Sequence, residues 1–203
     1  MYTAIQSYCE TLTQQFHSIA AERKPLLSKI CDYMLQQRAA GKSVNLVYIC
    51  THNSRRSHFG QVWAATAAEY YGIPNIHTFS GGTEATAFNI NAIHALEKVG
   101  FIIHSDGQPN NPVYKVCYGE EACTTCFSKV YNHPSNPKDN FLAIMTCGEA
   151  ETNCPFIPGA TGRVATTYED PKLYDGTPEQ DAAYDARCRQ IALETLYVFS
   201  LVK

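Results

Sequence analysis

Three short stretches of this sequence carry side chains able to do covalent chemistry. The first is Cys50-Thr51-His52-Asn53-Ser54-Arg55-Arg56-Ser57, which fits the pattern C-x5-R-[S/T]. Five residues between the thiol and the guanidinium are enough to curl a nest of backbone N–H groups around one tetrahedral anion. A helix starting just after the turn adds the partial positive charge of its N-terminus. Arg56 closes the ring, and its planar fork matches two oxygens of the anion. The same field favours the thiolate of Cys50, the form that attacks. Ser57 is placed to donate its hydroxyl to that sulfur. Thr51, His52, Asn53, Ser54, Arg55 and Ser57 are therefore candidate anion-binding residues. Within that set, His52 reads as shaping the loop, and Arg55 as solvent-facing or a rim contact.

The second stretch is Asp170-Pro171, in the run Tyr168-Glu169-Asp170-Pro171. Attack by a thiolate needs an acid to protonate the leaving oxygen, and Asp170 is the candidate. Proline holds the residue before it in extended geometry, which helps to aim the carboxyl. An ordinary Asp-Pro turn is the alternative. The third stretch is bounded by Cys147 and Cys154, seven positions apart across a short polar loop. Such a pair serves redox chemistry, packing or half of a zinc site.

Elements that position these groups are legible around them. Val44 to Cys50 is a short apolar, β-branched run that reads as a buried parallel strand. His58 to Tyr71 has helical spacing, and Gly72-Ile73-Pro74 ends it. Further strands are expected at Ile76 to Ser80, Phe141 to Thr146 and Arg163 to Tyr168. Further helices are expected at Asn91 to Val99, capped by Gly100, and at Pro178 to Val202. Residues 1–42 read as two helices, the second starting near Pro25, forming an arm on a main domain of residues 43–203. Residues 105–140 are rich in Pro, Asn and Gly and read mostly as a long excursion with some local helix. Strands alternating with helices imply an α/β fold whose four-stranded parallel sheet is flanked by helices, with an N-terminal helical extension. Ligands of such sheets bind beyond the C-terminal strand ends, where Cys50 lies.

Composition narrows the function classes. The chain has 203 residues, 45% of them hydrophobic, enough for a core. A net charge of −3 argues against nucleic acid as a partner. No apolar run approaches membrane-spanning length, and the first residues lack a secretion signal, so the expected compartment is the cytoplasm. Nine cysteines in such a setting point to metal binding, redox chemistry or packing rather than to a disulfide framework. Cys117, Cys123, Cys126 and His133 form a weak zinc candidate whose spacing matches no standard finger; reduced, unliganded thiols are expected there.

The phosphate-loop motif, the Asp-Pro and the cysteine pair together resemble the low-molecular-weight protein tyrosine phosphatase superfamily, which has a flavodoxin-like sheet. Within it they are most similar to thioredoxin-coupled arsenate reductases. The stretch from Ser80-Gly81-Gly82-Thr83 to Ile93 is similar to that family's second strand and the loop and helix after it. The likeness runs from about Val44 to the C-terminus, broken by the 105–140 insertion, and departs at Arg55, where arsenate reductases often carry Cys or Ala. It implies an arsenate or phosphate oxyanion as substrate, no tightly bound cofactor and thioredoxin as reductant. It implies catalysis by Cys50, Arg56 and Asp170, with a relay from Cys50 to Cys147 to Cys154. Two rivals stay open: phosphomonoester hydrolysis through a phosphocysteine, and a non-catalytic anion-binding or zinc-bearing module.

Overall fold

The computed structural model describes residues 1–153 and 156–203. Strand β1 (Val44–Cys50) is buried at every residue but Asn45. It pairs in parallel with β2 (Ile76–Gly82) on one side and β6 (Phe141–Met145) on the other, and β6 pairs with β7 (Ala160–Ala165). Among the described residues the order is β2-β1-β6-β7, as the expected four-stranded parallel sheet requires. The order reverses between β1 and β6, so the crevice at their C-terminal ends is the binding position of this topology. Cys50 ends β1 there, and Cys147 follows β6.

Alternation along the strands divides the core. Leu46, Tyr48, Leu142, Ile144 and Val164 face a large cluster formed with α1 (Thr3–Thr13), α2 (Lys24–Ala39), α3 (Arg56–Tyr70), α4 (Ile90–Val99) and α6 (Gln180–Ser200). Val47, Ile49, Ala143 and Met145 face a smaller one that contains Cys50, Cys147 and Ala150 of α5 (Gly148–Asn153). In α1 the residues Ile5, Cys9 and Leu12 recur at helical spacing and are essentially unexposed, and Tyr8 stacks on Trp63 of α3. Helix α4 starts on Asn89, whose side chain accepts from the N–H groups of Asn91 and Ala92. It stops at Gly100, where φ is +115° and a Cβ would collide with Ala4 of α1. Arg23, at the start of α2, forms a fork on buried Glu194 of α6, with its Nη2 2.6 Å from Oε2.

The 105–140 stretch departs from expectation. In place of local helix it supplies two short strands, β4 (Tyr114–Cys117) and β5 (Cys123–Cys126), which join β3 (Ile102–Ser105) in an antiparallel sheet. Strands of four residues are too short to register as periodicity, and their Lys and Thr content masks them. Cys117 and Cys123 lie opposite each other across β4 and β5 and are joined by a disulfide, so the expectation of reduced thiols is corrected for this pair. Cys126 is three residues along β5 from Cys123, on the opposite face, and is fully buried. His133 instead accepts from the Ser135 N–H. The four zinc candidates are not brought together, and among the described residues no group of three His, Cys, Asp or Glu side chains is placed to hold a metal. No described helix is long and apolar enough to cross a membrane.

The fourth parallel strand lies three residues earlier than expected, but its ladder runs on. The N–H groups of Thr166 and Tyr168 donate to Met145 and Thr146, carrying the chain to Asp170 at the sheet's C-terminal edge. Ile5→Ala is expected to cost about 2–5 kcal/mol in a denaturant titration, because α1 fills the same core as α3 and α6. His58 of α3 is fully buried against Phe88 and Ser80, and burial holds its ring well below the usual histidine range. The unfolded chain therefore takes up a proton below about pH 6.5 that the folded chain refuses. Stability is expected to fall as pH drops through that value, and His58→Gln should remove that part of the decline in denaturant midpoints taken at pH 7.5 and 5.5.

Candidate active site

The turn after β1 is shaped by its neighbours. Asn53 is fully buried with φ +44°, a left-handed conformation that asparagine tolerates. Its side chain makes up for the strain: Nδ2 donates to Ser57 Oγ at 2.9 Å, and Oδ1 accepts from the Lys129 N–H at 2.9 Å. Gly82, at the end of β2, lets the loop come close, since a Cβ there would meet the Asn53 nitrogen and the Thr51 carbonyl. The Cys50 and Thr51 carbonyls accept from the N–H groups of Thr83 and Glu84, and Ser54 Oγ donates to the Ala87 carbonyl. The outer wall of the turn is thereby pinned through its carbonyls. Among the described residues the N–H groups of Thr51 to Arg55 donate to no protein acceptor, as an anion nest requires.

Cys50 is 3% exposed, and its Sγ lies 3.2 Å from Ser57 Oγ in the first turn of α3. Arg56 donates from Nη1 to the Tyr168 carbonyl at 2.8 Å and from Nη2 to Asp170 Oδ2 at 2.5 Å. Its Nε is buried without a partner, a donor open to an oxyanion. The arginine and the acid named from sequence are thus hydrogen-bonded to each other, beside the loop that Cys50 opens. Asp170 also caps the 3-10 turn Pro171–Tyr174 by accepting from the Lys172 N–H.

Arg55 corrects its expectation. It is 9% exposed, not solvent-facing: Nε donates to Tyr184 Oη at 2.9 Å, and its Nη atoms lie 3.6 Å from Asp170 and 3.9 Å from Asp175. A buried guanidinium is held by acids and a phenol from the chain's last forty residues, which no local pattern announces. Arg55 and Arg56 flank one carboxylate, so two cations stand beside the loop. His52 is half exposed and pairs with Glu84 at 2.9 Å, while its carbonyl accepts from Thr86 Oγ1 and Ser128 Oγ. That is loop shaping, as read from sequence. Ser128 and Lys129 were missed, because nothing in the sequence of the insertion marks a residue that braces a loop far from it.

Cys147 is 2% exposed beside the loop. Its Sγ lies 3.4 Å from Thr51 Oγ1, which also donates to Glu149 at 3.0 Å, and Sγ accepts from the Ala150 N–H at 3.4 Å. Cys50 and Cys147 belong to one apolar cluster. Cys154 lies outside the described residues.

No protein-family profile matches the chain. By sequence it is 27% identical over 144 residues to the arsenate reductase of Bacillus subtilis, across 71% of this chain and 86% of that one. It is 26% identical over 132 residues to arsenate reductase 2 of Staphylococcus epidermidis, across 62% and 77%. By structure it matches a low-molecular-weight phosphotyrosine phosphatase of Vibrio cholerae with a TM-score of 0.51 at 12% identity, across 78% of this chain and 95% of that one. Sheet order and loop position agree with these likenesses: the chain has the fold of the low-molecular-weight phosphatases and is similar in sequence to arsenate reductases.

Proposed function

We propose that this enzyme reduces arsenate to arsenite with a cysteine relay, and that thioredoxin restores it. The observation that carries the reading is Cys147, a second buried thiol against the wall of the anion loop, in one apolar cluster with Cys50. Hydrolysis of a phosphomonoester needs one thiol; reduction needs two electrons from a pair.

The steps balance as follows. The Cys50 thiolate attacks arsenic, Asp170 protonates a departing hydroxyl, and water leaves an S–As(V) adduct. Arg56, with the loop amides, holds the remaining oxygens. The Cys147 thiolate then attacks the Cys50 sulfur. The S–As electron pair passes to arsenic, arsenite departs, and a Cys50–Cys147 disulfide remains. Cys154 attacks Cys147, which frees Cys50 and leaves Cys147–Cys154 for a dithiol such as thioredoxin to reduce. Gly148, where a Cβ would meet nothing within 4 Å, gives the Cys147 segment room to turn between its two partners. A supply of reduced thioredoxin places the cycle in the cytoplasm.

The test is NADPH consumption with arsenate, thioredoxin and thioredoxin reductase. The wild type is expected to turn over and Cys50→Ser to be inert. Cys147→Ser should abolish arsenate-dependent NADPH loss yet still hydrolyse an aryl phosphate. A wild type that hydrolyses the ester briskly but never consumes NADPH is a phosphatase, and the reductase reading then fails. Asp170→Asn is expected to lower kcat roughly a hundredfold or more, through loss of the proton donor.

A further inference from the structure

The insertion reaches the nucleophile through a directional chain of hydrogen bonds. Its segment 127–129 crosses the outside of the anion loop, and Ser128, 2% exposed, is the hub. Ser128 Oγ donates to the His52 carbonyl at 3.0 Å and accepts from the Thr86 N–H at 2.7 Å. Asn111 holds the Ser128 backbone at both ends: its Nδ2 donates to the carbonyl at 2.8 Å, and its Oδ1 accepts from the N–H at 3.1 Å. The next residue, Lys129, accepts at its carbonyl from the Gly82 N–H at 2.8 Å and gives its own N–H to Asn53 Oδ1.

Direction follows from donor chemistry. A backbone N–H can only donate, so Lys129 fixes which end of the Asn53 amide is oxygen. The amide nitrogen then faces Ser57 and donates to its Oγ. The Ser57 oxygen is occupied as an acceptor, and among the described residues the remaining partner for its hydrogen is Cys50 Sγ. We propose that Asn111, Ser128 and the Lys129 N–H are positioning groups that set the direction of the relay Lys129 to Asn53 to Ser57 to Cys50, and so hold the sulfur as an acceptor. A hydrogen bond donated to the ionised form favours that form. Without the brace the Asn53 amide is free to turn over, Ser57 then donates to Asn53, and the sulfur loses its donor. The proposal rests on reading Cys50 as the nucleophile, and it gives the insertion a task in the reaction.

Alkylation tests it without any oxyanion. Iodoacetamide labelling of Cys50 is followed by mass spectrometry of its peptide at pH 6 and pH 9, with melting curves of each variant. Ser128→Ala and Asn111→Ala are each expected to slow labelling at pH 6 roughly tenfold, the change in thiolate fraction that one lost donor brings. Labelling at pH 9, above the ordinary pKa of a free cysteine, should stay within about twofold. Ser128→Thr, which keeps the hydroxyl, should restore the pH 6 rate. A general loosening of the loop changes both rates alike and overturns the proposal, as do pH 6 rates that stay at the wild-type value. If Ser128→Ala does not fold, Asn111→Ala decides. A wild-type Cys50 that reacts at pH 6 no faster than glutathione fails differently, because it removes the nucleophile itself.

Discussion

The turn that closes over the sulfur of Cys50, with its N–H groups left free of protein acceptors, constrains most of what surrounds it. The hydroxyl beside the Cys50 sulfur is that of Ser57, and Ser57 Oγ accepts from Asn53. Asn53 takes a positive φ and sits without solvent, so every polar atom of its side chain needs a partner. One partner is on the loop itself, and the other is the backbone of the insertion. The close approach that closes this set depends on Gly82, at the C-terminal end of β2. The strand order then puts the loop at the reversal point of the sheet, where neighbouring strand ends leave room for an anion.

Charge is handled by the same economy of partners. Asp170 meets both loop arginines, and Asp175 and Tyr184 complete the shell of Arg55. Tyr168 carries the network inward: its carbonyl accepts from Arg56, and its hydroxyl donates to Glu194 at 2.8 Å. Glu194 is in turn the partner of Arg23 at the head of α2. Buried ions of this kind contribute little net stability when paired and cost several kcal/mol when one partner is lost. The N-terminal helices are therefore connected to the site by polar contacts as well as by the apolar core they share with α6.

The cysteines sort by environment. Cys9, Cys126 and Cys188 are buried away from the loop, and burial pushes their thiols up to about 12, so they act as small apolar side chains. Cys117 and Cys123 close a hairpin of the insertion. Cys50 and Cys147 stand apart from these, at the C-terminal ends of adjacent strands with hydroxyl partners. The split between inert and placed thiols follows the sheet's own polarity, since only its C-terminal edge opens onto the anion loop.

Sequence alone determined what is contiguous. The strand, the turn from Cys50 to Ser57 and the helix after it form one run of residues, so their order and chemistry were readable before any packing was known. The Asp-Pro beyond the last strand and the cap at Gly100 were readable for the same reason, and so were the four strands of the parallel sheet, the last of them displaced by three residues. Tertiary structure decided whatever depends on a partner far along the chain. Arg55 is identical in type to Arg56 and adjacent to it, and only the arrival of Asp175 and Tyr184 buries it. The pairing of Cys117 with Cys123, in place of the C-x2-C that the eye picks out, is set by strand register, which brings i and j together and turns Cys126 to the other face. The brace from Ser128 and Lys129 is set by where the insertion comes to rest. A hydrogen bond's direction is fixed by the groups at both of its ends, and a local stretch of sequence holds only one of them.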